Sequence, residues 1–378
     1  KMQLLRTALK FIRFDKPKSV GALFGVIISI FLVGQQTGIF TFLTNAMCYF
    51  VRVNDGYIWV TDNKTENVNA LAPIDVRLGF EMESLQHIKK AHQFVLASGA
   101  ARFPDGTAAG LSIVGVELPE FNGIQQGIFT DGGPQDLISD GAVSVDYFDA
   151  KALGNPKKGD YFELNNKQVR IAALTKGARS FGGGLISYTT IDRARFLGNV
   201  SNSKTSAFLV EVDNAKNMQK VVNAINANIP GVKAWMPTAF KNQTIITVLK
   251  SSGIAFSFGT LIIFALISGF IIIGLTLYSA AIDRIKDYGT LKAIGATNSY
   301  IRKLILMQAS LYAIVGFLIG YTLIEGFRNG IANAGTLFTF SPVIKFGFFV
   351  ITAVISISGT LFAIRRITKL EPASVFSN

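Results

Sequence analysis

Few side chains in this sequence have the chemistry of a metal ligand or a nucleophile. The 378 residues contain two histidines, His87 and His92, and one cysteine, Cys48. On a helix, two histidines five positions apart would point about 140° apart, so they do not form the i, i+4 pair that binds zinc. We therefore predict no metal site and expect both histidines to be solvated on the surface. A single cysteine in an apolar segment excludes an intramolecular disulfide and disfavours a reactive thiolate.

The sequence also lacks the motifs of nucleotide hydrolysis and of serine hydrolases. No G-x-x-x-x-G-K-[S/T] occurs, and the glycines at 182–184 are followed by Leu185, without the lysine that would reach the phosphates. No G-x-S-x-G occurs either. We therefore predict that the chain is not an enzyme and binds no cofactor itself. Energy for any active process would have to come from a partner.

The composition indicates that much of the chain avoids water. Hydrophobic residues make up 49% and charged residues 16%, with a mean hydropathy of +0.39 and a formal net charge of +13. Soluble domains carry about 25% charged residues. Four runs without Asp, Glu, Lys or Arg are long enough to cross a bilayer, at 19–51, 251–282, 304–324 and 346–364. The first two exceed one bilayer, which predicts helices that continue as stalks into a water-exposed domain.

The basic residues show which segments stay in the cytoplasm. They are concentrated in 1–18, 283–303 and 365–378, whereas the long connection 52–250 is nearly balanced. By the positive-inside rule, both termini and the 283–303 loop are cytoplasmic, and the large domain is periplasmic or extracellular. This predicts a multi-pass membrane protein. Because the large domain has no basic stripe, the sequence does not predict nucleic-acid binding.

The predicted fold class is an α-helical membrane protein with four transmembrane helices and an inserted α+β extracytoplasmic domain. The predicted segments are a cytoplasmic amphipathic helix (1–18), transmembrane helix 1 with its stalk (19–51), the α+β domain (52–237), a stalk with transmembrane helix 2 (238–282), a cytoplasmic helix (283–299), transmembrane helices 3 (300–325) and 4 (343–365), and a cytoplasmic tail (366–378).

Local patterns predict parts of the α+β domain. The turn sequences at 104–106 and 165–166 lie between apolar runs and predict two hairpins. Strand 207–212, helix 215–227 and strand 232–235 predict a β-α-β unit.

Two amphipathic segments lie on the predicted cytoplasmic side. In 2–14, apolar residues share one face and basic residues are interleaved, which predicts a helix lying on the inner leaflet; a cationic anchor that only sets topology fits equally well. In 283–297, Ile285, Tyr288, Leu291 and Ile294 recur every third position and Gly295 follows as a left-handed stop. This helix either docks on another protein or is held by lipid headgroups.

At this second segment the sequence resembles a known family. Arg-x-Lys-acid-aromatic-Gly-x-Leu-Lys-Ala-Ile-Gly-Ala, at 284–296 between two membrane helices, is similar to the signature of FtsX-like permeases, which include MacB-type exporters and lipoprotein-releasing permeases. The tail at 366–373 resembles the family's C-terminal motif, and the stretch 144–174 resembles MacB-type periplasmic domains. The order of one helix, a large domain and three helices is a DevC-like layout. Asp287 departs from the glutamate more common in the family.

The resemblance implies a location in a bacterial inner (plasma) membrane, and it implies partners for this chain. The cytoplasmic helix would dock in a groove of a separate ABC ATPase subunit that carries ATP and Mg, and two permease chains would form a homodimer. The implied ATPase contacts are Arg284, Lys286, Asp287, Tyr288, Leu291, Lys292, Ile294 and Gly295, with Tyr288, Leu291 and Ile294 as the face buried in the groove. Gln35 and Gln36, a polar pair deep in the first helix, are predicted to form hydrogen bonds at the dimer seam.

Four functions remain open on the sequence alone. In length and layout the chain most resembles a permease of an exporter that works with a periplasmic adaptor and an outer-membrane duct. A regulatory permease that activates a cell-wall hydrolase, or a lipoprotein-releasing permease, would have the same helices. A stand-alone sensor or scaffold would have no ATPase partner. Membrane lipid is a predicted partner in every case.

Overall fold

The computed structural model describes residues 2–14, 16–125, 127–146, 155–179, 181, 185–283, 285–332, 336 and 338–368. Arg284 and most of the C-terminal tail motif lie outside these residues. The chain divides into two compact units. The first, here called the membrane unit, comprises residues 1–41, 255–332 and 336–378, and the second, the inserted domain, comprises residues 42–254 and 333–335.

The membrane unit is built from helices. They are α1 (Met2–Phe14), α2 (Lys16–Met47), which runs on into the inserted domain, α8 (Ile254–Asp283), α9 (Ile285–Ala293), α10 (Asn298–Ala332) and α11 (Pro342–Thr368). Among the described residues, four segments are long and apolar enough to cross a membrane: Ser19–Met47, Ile254–Ile272, Asn298–Ala332 and Pro342–Leu361. Each overlaps one of the four charge-free runs of the sequence.

Glycines allow the membrane helices to pack closely. A Cβ at Gly320 of α10 would collide with Ile30 of α2, and a Cβ at Gly269 of α8 would collide with Ser29 of α2. Between membrane helices, the hydrophobic effect gives little attraction, so close backbone approach at small residues supplies the packing energy. Both α8 and α10 therefore pack directly on α2.

The inserted domain is an α+β structure. Its helices are α3 (Tyr49–Val53), α4 (Leu78–Glu83), α5 (Ile191–Gly198), α6 (Met218–Asn228) and α7 (Pro237–Ser252). Its strands are β1 (Ile58–Asp62), β2 (Ile74–Asp75), β3 (Ile88–Arg102), β4 (Ala108–Val116), β5 (Phe129–Asp131), β6 (Ala142–Asp146), β7 (Tyr161–Leu164), β8 (Lys167–Thr175), β9 (Leu185–Thr190), β10 (Lys204–Thr205), β11 (Ala207–Val212) and β12 (Val232–Trp235). Ten of the described strands form one sheet, and β2 pairs with β10 separately.

The predicted hairpins and the β-α-β unit are present. β3 and β4 pair antiparallel, as do β7 and β8. Asn165 and Asn166 between β7 and β8 have positive φ angles of 51° and 60°, the conformation that a two-residue hairpin turn requires. In the β11-α6-β12 unit, β1 lies between the two strands and is antiparallel to both. The sequence predicted the unit but gave no sign of the strand inserted into it.

The predicted second stalk is not one helix. The chain leaves the inserted domain as α7, and Gly253 then adopts a left-handed conformation with φ of 65° before α8 begins. Glycine takes this conformation readily because it has no Cβ. By contrast, α2 is continuous over 32 residues. The predicted stalk of the first span is therefore part of one helix, whereas α7, in the predicted stalk of the second span, is separated from α8 at Gly253.

Candidate functional site

The helix α9 lies between two candidate membrane spans and ends at the glycine that the sequence predicted as its stop. Gly295 has φ of 103° and ends the helix. The Gly295 amide donates to the Lys292 carbonyl at 3.0 Å, and the Ala296 amide donates to the Leu291 carbonyl at 2.8 Å. This pair of bonds is the Schellman arrangement that satisfies the last carbonyls of a helix. The Thr297 hydroxyl then accepts from the Tyr300 amide at 3.3 Å, capping the start of α10.

One side of α9 packs against other helices of the same unit. Tyr288 is only 3% exposed, and its ring centroid lies 5.6 Å from that of Phe11 in α1. Leu291 is half-buried against the same apolar cluster. The buried members of this cluster are Ala8, Tyr288, Ile301, Leu304, Ile305 and Ile364, which come from α1, α9, α10 and α11. Because these helices share one core, a displacement of α9 would be resisted by α1 and α10.

This packing corrects the predicted partner-facing side. Tyr288, Leu291 and Ile294 were expected together on the face that enters an ATPase groove. Tyr288 instead has almost no accessible surface, because α1 covers it, and Ile294 is 80% exposed. The i+3 spacing identified an amphipathic helix but not what covers its apolar side. The sequence did not predict that Phe11 packs against Tyr288, because this contact joins distant parts of the chain.

The exposed side of α9 is a ridge with charges at one end and an apolar residue at the other. Lys286, Asp287, Thr290 and Ile294 are exposed, and positions 286, 290 and 294 follow one another at i, i+4 spacing along one face. Gly295 is exposed beyond the ridge, and Lys292 is half-buried. Arg284, the remaining predicted contact, lies outside the described residues. The ridge has the chemistry of a binding surface.

The two glutamines predicted at a dimer seam lie in the closely packed part of α2. Gln35 and Gln36 are half-buried. They stand between Gly34, which packs on Ile324, and Gly38, which packs on Phe338. Their predicted hydrogen bonding to a second copy stays a prediction.

The histidines are placed differently from expectation. His92 lies in strand β3 and is 2% exposed, with Nδ1 at 3.0 Å from Glu117 Oε2. His87 pairs with Asp213 at 2.8 Å. The prediction of solvated surface histidines is wrong for His92, because a strand alternates its faces and turned this residue inward. No group of three or more His, Cys, Asp or Glu in the described part of the chain could hold a metal ion.

Glu117 is held in its charged form by this cluster. Burial alone would raise the pKa of its carboxyl. Hydrogen bonds from His92 and from the Gln93 amide outweigh burial and lower that pKa below its usual value. Asn122 also lies within hydrogen-bond distance of the His92 ring and accepts a bond from the Tyr57 hydroxyl at 2.9 Å. The cluster is fully partnered and ties β3 to the loop after β4.

The first residues of the inserted domain are anchored in its core. Tyr49 of α3 shares a hydrogen bond of 2.9 Å with Tyr188 of β9. Burial raises the pKa of Tyr49 to about 12 and that of Tyr188 well above its usual value. The side-chain amide of Asn69 donates a hydrogen bond of 2.7 Å to the carbonyl of Met47, the last residue of α2. The end of α2 is therefore held by a hydrogen bond from Asn69, and the short helix α3 that follows is held by the buried bond of Tyr49.

These features define a multi-pass membrane protein whose first two spans are separated by an α+β domain. Residues 259–372, which lie in the membrane unit, match the model of the FtsX-like permease C-terminal family. The match includes α9 and confirms the resemblance that the sequence showed there.

Two solved structures are similar to the inserted domain. The extracellular domain of the noncanonic ABC-type transporter YknZ from Gram-positive bacteria is 12% identical, with a TM-score of 0.35, and the similarity covers 47% of this chain and 98% of that chain. The periplasmic region of MacB from Actinobacillus actinomycetemcomitans is 12% identical, with a TM-score of 0.37, covering 53% of this chain and 96% of that one. Among curated proteins no match is found.

Proposed function

We propose that this chain is the permease subunit of an ABC-type exporter and transmits motion from a separate ATPase subunit to its extracytoplasmic domain. The observation that carries the proposal is the exposed ridge of α9 inside a segment that matches the FtsX-like permease model. ATP and Mg belong to the ATPase in this proposal, because the sequence has no phosphate-binding loop. The basic residues of the loops support a cytoplasmic position for α9 and both termini in this proposal.

The packing of the membrane unit supports a lever-like role for α9. A partner that pushes on Ile294 would act through α9 on the cluster around Tyr288, and hence on α1 and α10. The end of α1 is joined to the start of α2, since the Ser19 hydroxyl donates to the Ile12 carbonyl at 2.8 Å. Helix α2 then continues without a break to Met47. This path provides a mechanical connection from the ATPase to the inserted domain.

The connection from the inserted domain back to the membrane unit, through α7 and α8, is interrupted at Gly253. The left-handed glycine between α7 and α8 separates the two helices, so they need not move as one rod. We propose that α2 transmits the motion and that Gly253 lets α8 adjust to it.

The proposed assembly also includes a second copy of the chain, with a periplasmic adaptor and an outer-membrane duct. Support for the homodimer comes from α8, whose apolar span at Ile254–Ile272 is only 11% buried within the chain. A second copy could cover this surface, with Gln35 and Gln36 adding hydrogen bonds at the seam.

The ATPase contact is tested by changing Ile294 to aspartate. The detergent-solubilised chain should capture a protein with a phosphate-binding loop, identified by mass spectrometry, and should stimulate its ATP hydrolysis. We expect Ile294→Asp to weaken this capture about tenfold or more, because a charge would replace a central apolar contact. Leu291→Asp is a poorer test, since Leu291 packs in the chain's own core and its loss would also disturb folding.

Phe80→Asp is the matched control for that experiment. Phe80 is 75% exposed, close to the 80% of Ile294, and lies in the inserted domain. This variant carries the same kind of change on a surface that does not meet the ATPase. Equal capture by the wild type and Ile294→Asp would overturn the proposed docking ridge. Capture of no ATPase by the wild type would favour the stand-alone sensor or scaffold.

A further inference from the structure

The N-terminal helix α1 has two faces of different character. Its inner face packs on the membrane unit, with Ala8 fully buried and Phe11 against Tyr288. Its outer face carries three exposed basic residues and two exposed leucines: Arg6, Lys10, Arg13, Leu5 and Leu9. This set is here called the outer face of α1. The helix contains no acidic residue.

Hydrogen bonds fix α1 at the end of a candidate membrane span. The Ser19 hydroxyl donates to the Ile12 carbonyl in α1 and accepts a bond of 2.9 Å from the Tyr312 hydroxyl in α10. Ser19 is also the first residue of the candidate span Ser19–Met47. Because this span begins within a few residues of the end of α1, the helix lies at the depth of the lipid headgroups when α2 crosses a bilayer.

We propose that the outer face of α1 binds the headgroups of anionic phospholipids. The three positive charges, on a helix that has no acidic residue of its own, complement a negatively charged headgroup layer. Each basic residue near such a surface strengthens binding by about fivefold. Leu5 and Leu9, 36% and 42% exposed, lie beside the charges and can enter the boundary between headgroups and acyl chains. A soluble acidic partner would leave unexplained why apolar residues adjoin the basic ones at this depth.

Lipid binding at the outer face of α1 would also restrain α9, the candidate docking helix. The opposite face of the same helix holds Phe11 against Tyr288 of α9. A lipid that fixes α1 therefore also fixes the support on which α9 rests. The inference requires that α2 crosses a membrane, and it does not require the ATPase partner, so the two proposals can fail separately.

Hydrogen exchange of the full chain in nanodiscs tests the proposal. Discs of pure phosphatidylcholine are compared with discs in which one third of the lipid is phosphatidylglycerol. We expect amide exchange across residues 2–14 to be at least fivefold slower in the anionic discs. High salt should remove most of this difference, because it screens charges beyond a few ångströms.

Three variants separate lipid binding from a general effect of charge. Arg6→Gln combined with Lys10→Gln and Arg13→Gln should abolish the difference between the discs. Arg6→Lys with Arg13→Lys should keep it, because charge is retained. The matched control neutralises three exposed lysines of the inserted domain, Lys64, Lys216 and Lys220, and should also keep it. Equal exchange of wild-type α1 in both discs, or a difference that survives in the triple Gln variant, would overturn the proposal.

Discussion

At the scale of single residues, the buried side chains that matter here act by holding helices in place. The Tyr49 and Tyr188 hydroxyls bond to each other in the core of the inserted domain, next to the end of α2. A buried hydroxyl without a partner costs about 1–3 kcal/mol, whereas removing both partners together can be nearly neutral. The pair therefore allows a direct measurement of how firmly α3 is anchored.

We expect Tyr49→Phe and Tyr188→Phe each to destabilise the inserted domain by about 1–3 kcal/mol, because each leaves one hydroxyl unpaired. The double variant should lose less than the sum of the two. Thermal unfolding of the full chain, followed by tryptophan fluorescence, measures this, since both tryptophans, Trp59 and Trp235, lie in the inserted domain. Strictly additive losses would show that the two hydroxyls are not coupled.

The same pair predicts a loss of stability at high pH. Tyrosine ionises near pH 10 in the unfolded chain, whereas burial raises the pKa of Tyr49 to about 12. Between these pH values the Tyr49 hydroxyl loses its proton in the unfolded state but keeps it in the folded state. The contribution of Tyr49 to the free energy of unfolding is therefore complete below pH 10 and decreases above it. Tyr49→Phe should flatten this alkaline decline.

At the scale of elements, close packing of α8 on α2 depends on one glycine. We expect Gly269→Ala to destabilise the membrane unit by about 1–3 kcal/mol, because the new Cβ would collide with Ser29. Gly259→Ala, in the same helix, has open space around its new methyl and should be neutral or stabilising by about 0.5–1 kcal/mol. Thermal stability of the two variants in detergent gives the comparison. If both behave alike, α8 does not pack on α2 as described.

Elements whose cause is local could be predicted from the sequence, and contacts between distant segments could not. The turn at Asn165 and Asn166 was predictable because the residues themselves favour positive φ angles. The burial of Tyr288 was not, because Phe11 and the other residues that cover it come from distant segments of the chain. Gly253 was missed for another reason: a single glycine within an apolar run is often accommodated in a helix, so its left-handed conformation leaves no clear signal.

At the scale of the whole molecule, the distribution of the net charge predicts how the chain is oriented in a membrane. The formal charge of +13 comes mainly from three short basic segments. The four charge-free runs of the sequence each overlap one of the four candidate spans found among the described residues. The side of the membrane on which each loop lies is a prediction of the positive-inside rule. An experiment on orientation therefore tests the assumption on which the proposed ATPase partner depends, that α9 lies in the cytoplasm.

Cysteine labelling of the full chain in right-side-out membrane vesicles measures this orientation. The natural Cys48 is 1% exposed, and burial raises the pKa of its thiol, so it should react slowly with an impermeant maleimide. Ala215 in the inserted domain and Ala293 in α9 are both exposed, which gives two matched Ala→Cys variants. We expect Ala215→Cys to be labelled in intact vesicles and Ala293→Cys only after permeabilisation. Labelling of Ala293→Cys in intact vesicles would place α9 outside the cytoplasm and remove the basis for an ATPase partner there.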